Sequence, residues 1–250
     1  MGEVWMIARR SLLTATAALG AATVTTMSRP ARADGPPVDL LLVLAVDVSR
    51  SVDEDEARLQ REGYREAVSD PKVVEAIRAG MIGATAIAYV EWAGIEYQRT
   101  VLPWTRIASQ ADANQWAAEL AAAPRASLSW TSISGAIRHS RQLIAEAPFE
   151  ATRKVIDVSG DGVNNSGPPA EQERDLAVAE GITINGLPIV NDRPTFGRMP
   201  PIPLDDYYRD FVIGGQGAFM IVAQDFESFG VAVRRKLIRE IAGLDGPMRG

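Results

Sequence analysis

"LLLVLAVDVSRSVDEDE", residues 40–56, is the stretch on which the reading of the chain turns. From Val38 to Val46 it is almost wholly apolar and of strand length. A run of that kind, without polar alternation, predicts a central strand covered on both faces. It breaks abruptly at Asp47, and Ser49 and Ser51 follow at alternate positions. Residues 52–68, "VDEDEARLQREGYREAV", then read as a helix whose acidic first turn and later arginines suit its dipole. The three oxygen-bearing side chains between strand and helix have three available roles. They can form a turn, cap the helix, or converge on an ion, since alternate side chains of an extended segment point the same way.

The pattern repeats outward from this point. "MIGATAIAYVEWAG" (81–94) and "IEYQRTVLPW" (95–104) predict an antiparallel hairpin turning at Ala93-Gly94. Residues 109–123 and 132–147 read as helices, "RKVIDVSGDG" (153–162) as a second buried strand, and "PPAEQERDLAVAEG" as a helix stopped by Gly181. "ITINGLPIV" (182–190) and "AFMIVA" (218–223) read as further strands, and 225–243 as a closing amphipathic helix. Strands alternating with helices give an α/β fold: a doubly wound, mostly parallel six-stranded sheet with one antiparallel edge strand and helices on both faces. In such sheets ligands bind beyond the carboxyl ends of the strands.

Three loops fall at that rim: "DVSRS" (47–51), "WTSISG" (130–135) and "SGDG" (159–162). They offer Asp47, Ser49, Ser51, Thr131 and Asp161, two carboxylates and three hydroxyls. An all-oxygen set suits a hard divalent cation, Mg²⁺ or Mn²⁺ before Ca²⁺. Taken singly, each residue has a plainer reading: Ser49, Ser51, Thr131 and Ser132 as caps, and Asp161-Gly162 as a turn.

D-x-S-x-S after a buried strand, a threonine opening a later helix and D-G after another buried strand resemble the metal-ion-dependent adhesion site of von Willebrand factor type A domains. The hairpin resembles that family's second and third strands, and the likeness spans roughly residues 38–243. More narrowly, the chain is similar to a bacterial subfamily of exported type A-like proteins of uncharacterised function. The resemblance implies that Ser49 and Ser51 ligate the metal directly and that Asp47 does so directly or through water while bonding the serines. It implies Thr131 as a direct ligand in the high-affinity state and Asp161 as a direct or water-mediated one. A partner protein's Asp or Glu carboxylate would complete the shell. The sequence departs from the family at two places: Trp130 stands where glycine often precedes the threonine, and Gly160-Asp161-Gly162 replaces T-D-G.

Enzyme readings find less support. A dehalogenase-type phosphatase wants a second aspartate two residues after the first, where Ser49 stands. His139, the chain's only histidine, lies in mid-helix, and no G-x-S-x-G elbow or phosphate-binding glycine loop with lysine occurs. A metal-dependent hydrolase or phosphatase on a similar sheet, and a scaffold with a vestigial metal site, are the alternatives to a binding module.

Residues 191–215 carry four prolines and no periodicity. The irregular insertion 191–216 leaves the end of a strand expected beside Asp161, so it should overhang the rim. Its Phe196, Phe211, Arg193 and Arg198, and above all Tyr207, Tyr208 and Arg209, are of residue types that interfaces use as anchors. Together with Trp130, these last three are the expected partner-binding residues; the alternative is a proline-braced cover for the sheet edge.

Residues 1–33 have the layout of an export signal: Arg9-Arg10, an apolar stretch from Leu12 to about Thr25, and Ala31-Arg32-Ala33 as cleavage site. The paired arginines also match the twin-arginine route. Residues 34–250 then form a single domain without a membrane span, exported to the periplasm or beyond. Without the signal, 22 basic and 31 acidic residues remain, a net charge near −9, which argues against a nucleic-acid partner. The absence of cysteine excludes disulfides and thiolate metal sites.

Overall fold

The computed structural model describes residues 1–2, 35–50, 52–126, 128–190, 202–226 and 228–243. The expected signal segment and Ser51 therefore lie outside the described residues, as do residues 191–201 with Arg193, Phe196 and Arg198. The chain divides into Met1–Arg32 and Ala33–Gly250, and every element below belongs to the second unit.

Strand β1 (Val38–Asp47) is the middle of the sheet. It pairs in parallel with β2 (Thr85–Trp92) on one side and β4 (Ala151–Gly160) on the other. Beyond β2 lies the antiparallel edge strand β3 (Gln98–Ile107), and beyond β4 the parallel β5 (Thr183–Pro188), giving the order β3-β2-β1-β4-β5. β1 is apolar throughout because both of its faces are covered. Leu40, Leu42, Leu44 and Val46 pack into one core with α1 (Glu54–Ser69), α2 (Pro71–Arg78), α3 (Gln110–Ala122) and α7 (Phe229–Ala242). Leu41, Val43 and Ala45 pack into the other with α4 (Ile133–Ala145), α5 (Ala170–Ala179) and the short α6 (Leu204–Tyr207). Asp47 is next on that second face.

Among the described residues the sheet has five strands, not the six expected. Residues 219–223 do run beside β5, but as two isolated parallel bridges, Gly186 to Met220 and Ile189 to Ala223. The bonds present are Gly186 N–H to Phe219 O, Ile221 N–H to Gly186 O, Ala223 N–H to Pro188 O and Val190 N–H to Ala223 O. A continuous parallel ladder would also need residue 188 to donate. Pro188 has no N–H, so the ladder is cut at its centre.

Two local features also differ from expectation. A separate helix, α2, follows α1 at once: Asp70 ends α1 and caps α2, accepting from Lys72 N–H at 2.8 Å, with Pro71 preset for the first helical position. Within the described part of the 191–216 insertion, α6 passes straight into a π turn, Tyr208–Val212.

Candidate metal centre

Ser49 does not cap α1, the helix that follows β1, and Thr131 does not cap α4. Asp53 caps α1 in a reciprocal capping box: it accepts from Glu56 N–H at 2.9 Å while Glu56 accepts from Asp53 N–H at 2.9 Å. Ser132 caps α4, accepting from Gly135 N–H at 3.1 Å. The plainer roles of Ser49 and Thr131 are thus filled by their neighbours, yet both side chains are buried at the rim.

The loops are held together by backbone and amide bonds. Ser49 bridges to Leu128 in parallel, and Leu128 N–H donates to Val48 O at 3.2 Å, joining the first loop to the second. Thr131 N–H donates to Asn165 Oδ1 at 2.8 Å, and Asn165 and Ser166 N–H groups return bonds to Thr131 O. Asn164 Oδ1 accepts from Ser134 N–H at 3.1 Å. The second loop is therefore locked to the third by Asn164 and Asn165, residues the sequence reading passed over. Their signal was the Asn-Asn pair after Asp161-Gly162, which reads locally as a turn.

Asp47 sits at the centre, fully buried. Its Oδ1 accepts from Ser49 N–H at 2.7 Å, and among the described residues Oδ2 has no hydrogen-bond partner. Burial first, and the charge of Asp161 second, raise its pKa well above the usual carboxylate range. The hydroxyl of Thr131 lies beside the third loop, where a Cβ on Gly162 would stand 3.6 Å from it. Asp47, Ser49, Thr131 and Asp161 are thus brought together, and Ser51 lies outside the described residues. Two buried carboxylates repelling one another, one with an orphan oxygen, fit a divalent cation, whose charge would relieve both costs. Among the described residues no group of three His, Cys, Asp or Glu side chains could hold a metal. The donor set at this rim is instead two carboxylates with hydroxyls, in keeping with a hard, oxygen-loving ion.

The expected partner residues separate. Trp130 is 56% exposed beside Thr131, with φ of 73°, a left-handed conformation rare for so bulky a residue. Arg209 is exposed and paired with Asp206 at 2.5 Å and Asp210 at 2.9 Å. Tyr207 is half-buried, and its hydroxyl accepts from Asn164 N–H at 3.3 Å. Tyr208 is not a surface anchor: it is fully buried, because the π turn directs it inward beneath Asp47. His139 Nε2 pairs with Thr100 Oγ1 at 3.0 Å.

A family model described as "Protein of unknown function (DUF1194)" matches residues 37–245. The chain belongs to that family. No curated protein matches the chain. Among solved structures, proximal thread matrix protein 1 from the mussel byssus, with a zinc-occupied MIDAS motif, aligns with TM-score 0.57 and 16% identity, over 82% of this chain and 46% of that one. BatB from Bacteroides thetaiotaomicron aligns with TM-score 0.53 and 20% identity, over 82% and 99%. The vWF domain of the type V pili tip protein Mfa5 from Porphyromonas gingivalis gives 0.56 and 11%, over 86% and 99%. This DUF1194 chain spans about half the length of the mussel byssus chains it matches. At these identities the likeness is one of fold, and the fold is that of a von Willebrand factor type A domain. Among the described residues no helix is long and apolar enough to cross a membrane.

Proposed function

We propose that this chain is an exported, metal-dependent protein-binding module of the adhesion type. Asp47, Ser49, Ser51, Thr131 and Asp161 would hold Mg²⁺ or Mn²⁺. When bound, the ion supplies an electrophilic site for a partner's Asp or Glu carboxylate. The hydroxyl ligands add no negative charge, so the ion stays electrophilic towards an incoming carboxylate. Trp130, half exposed beside Thr131, would meet the partner at the rim, with Tyr207 and Arg209 behind it.

The observation that carries this reading is Asp47: a fully buried carboxylate with one unpartnered oxygen, facing a second buried carboxylate and two hydroxyls released from capping. Zinc at the MIDAS motif of the mussel protein, and the pilus-tip origin of Mfa5, support it by analogy of fold.

The test is thermal melting in EDTA, Mg²⁺, Mn²⁺ and Ca²⁺, beside Asp47→Ala. A ligand that binds only the folded state stabilises it by about 2.7 kcal/mol at a hundredfold excess over its dissociation constant. A rise in Tm with Mg²⁺ or Mn²⁺ that vanishes in Asp47→Ala is the expected result. Identical melting in EDTA and every metal would count against the reading.

A further inference from the structure

Two buried polar atoms next to the candidate metal centre have no hydrogen-bond partner among the described residues, Asp47 Oδ2 and the hydroxyl of Tyr208. They border the same gap. A Cβ built on Gly160 would stand 2.9 Å from Asp47 Oδ2 and 3.1 Å from the Tyr208 hydroxyl. Only a residue without a side chain leaves that gap open, which is what Gly160 does at the end of β4. An unsatisfied buried polar group costs about 1–3 kcal/mol, more when charged. Two of them, one a donor and one an acceptor, set around a single opening call for a shared explanation.

The chemistry of the two groups is complementary. An ionised carboxylate only accepts, and a phenol can donate. A phenol, whose ordinary pKa is about 10, keeps its proton at neutral pH and so has a hydrogen to donate. The Tyr208 ring is firmly seated. A Cβ on Gly186 of β5 would lie 2.9 Å from Tyr208 Cδ1, and Tyr207 packs edge-on with ring centroids 6.5 Å apart. The π turn that begins at Tyr208 directs the ring under the rim, and such turns recur at functional sites.

We propose that Tyr208 is a positioning residue of the metal centre, its hydroxyl supplying the hydrogen bond that fixes the Oδ2 side of Asp47 across Gly160. Ser49 N–H already fixes the Oδ1 side. A small shift of either side chain into the gap, or one bridging water, completes the bond. The segment 204–212 thereby acts from beneath, as part of the foundation of the site. The inference rests on the metal-binding reading above and adds to it a residue from outside the three rim loops.

The experiment compares the full chain with Tyr208→Phe, Gly160→Ala and the double variant, measuring Mn²⁺ binding by calorimetry and Tm in EDTA. Tyr208→Phe keeps the ring and removes only an unpartnered hydroxyl, so its metal-free Tm should match or slightly exceed that of the unmodified chain. Its Mn²⁺ affinity should fall about tenfold, the lower end of what losing a ligand's supporting hydrogen bond costs. Gly160→Ala should weaken binding too, and Tyr208→Phe should add little on top, because the new methyl already separates the pair. If the unmodified chain binds Mn²⁺ and Tyr208→Phe binds it equally well, the positioning role is overturned and the metal site stands. A drop in metal-free Tm with unchanged affinity would likewise mark Tyr208 as packing only. No Mn²⁺ binding by the unmodified chain would overturn both readings.

Discussion

Lys236 Nζ lies 2.6 Å from Asp157 Oδ1 with both side chains sealed from solvent, tying α7 to the middle of β4. Glu240, one turn on, joins the same ammonium, and Asn185 Nδ2 donates to Glu240 Oε1 at 2.8 Å. One cation thus serves two buried carboxylates. Burial, and then the charge of Glu240, push the Asp157 pKa up to about 7.

Stability should therefore depend on pH through Asp157. The folded carboxyl holds its proton up to about 7, whereas the unfolded one releases it near 3.8, so the folded state binds more protons in between. That contribution is fully present below about pH 4 and is lost progressively as pH rises to about 7. Urea midpoints in EDTA from pH 5 to 8 should decline less steeply for Asp157→Asn than for the unmodified chain. Parallel slopes would sink the assignment. Lys236→Met, which leaves both carboxylates buried without a cation, should cost about 3–5 kcal/mol at neutral pH.

Capping and metal binding should come apart by mutation. Asp53→Ala removes the α1 cap and should lower stability by about 1 kcal/mol, with Mn²⁺ affinity unchanged. Ser49→Ala should do the reverse, weakening Mn²⁺ binding while the Tm in EDTA stays within a degree or two. Calorimetry and melting on the same samples decide it, and matching profiles for the two variants would mean that the roles are not separate.

Trp130 should be costly to the free protein. Its φ of 73° is comfortable for glycine and strained for a bulky side chain. Trp130→Gly should raise stability by about 1 kcal/mol, since the ring is more than half exposed and little packing is lost. A destabilised Trp130→Gly would show that the ring's contacts outweigh the strain.

Pro188→Val should repair the sheet edge. The new amide at 188 lies where a donor to Ile221 O is missing, so residues 219–223 should become a continuous sixth strand. Hydrogen exchange reads this directly: the amide of residue 188 should be protected. Exchange at the rate of an exposed amide would show that the edge is held apart by something other than the missing donor.

Much of this was legible in local pattern. The unbroken apolar run of β1, the hairpin and the alternation of strands with helices come from side-chain hydrophobicity, a property each residue carries wherever it sits. The rim placement of Asp47, Thr131 and Asp161 follows from it, because parallel strands end on one side; the strand order β3-β2-β1-β4-β5 is seen only in the structure. The sixth strand is absent for the opposite reason: 218–223 is apolar enough, but among the described residues the ladder depends on a donor from the neighbouring strand β5, and Pro188 withholds it. Helix α2 does not stand out in the sequence although Asp70-Pro71 marks its start, because apolar periodicity over eight residues is too short.

Contested roles were settled only in three dimensions. Ser49 or Ser51 could have capped α1 by spacing alone, and only the folded geometry gives that work to Asp53. Tyr208 reads as an interface residue by type, and only the π turn and the packing on Gly186 carry it inward. The sequence by itself determined which segments bury and in what order they wind, since hydrophobic burial is additive along the chain. The tertiary structure decided which oxygen meets which, because hydrogen bonds and charges depend on distances of about 3 Å between residues more than a hundred positions apart.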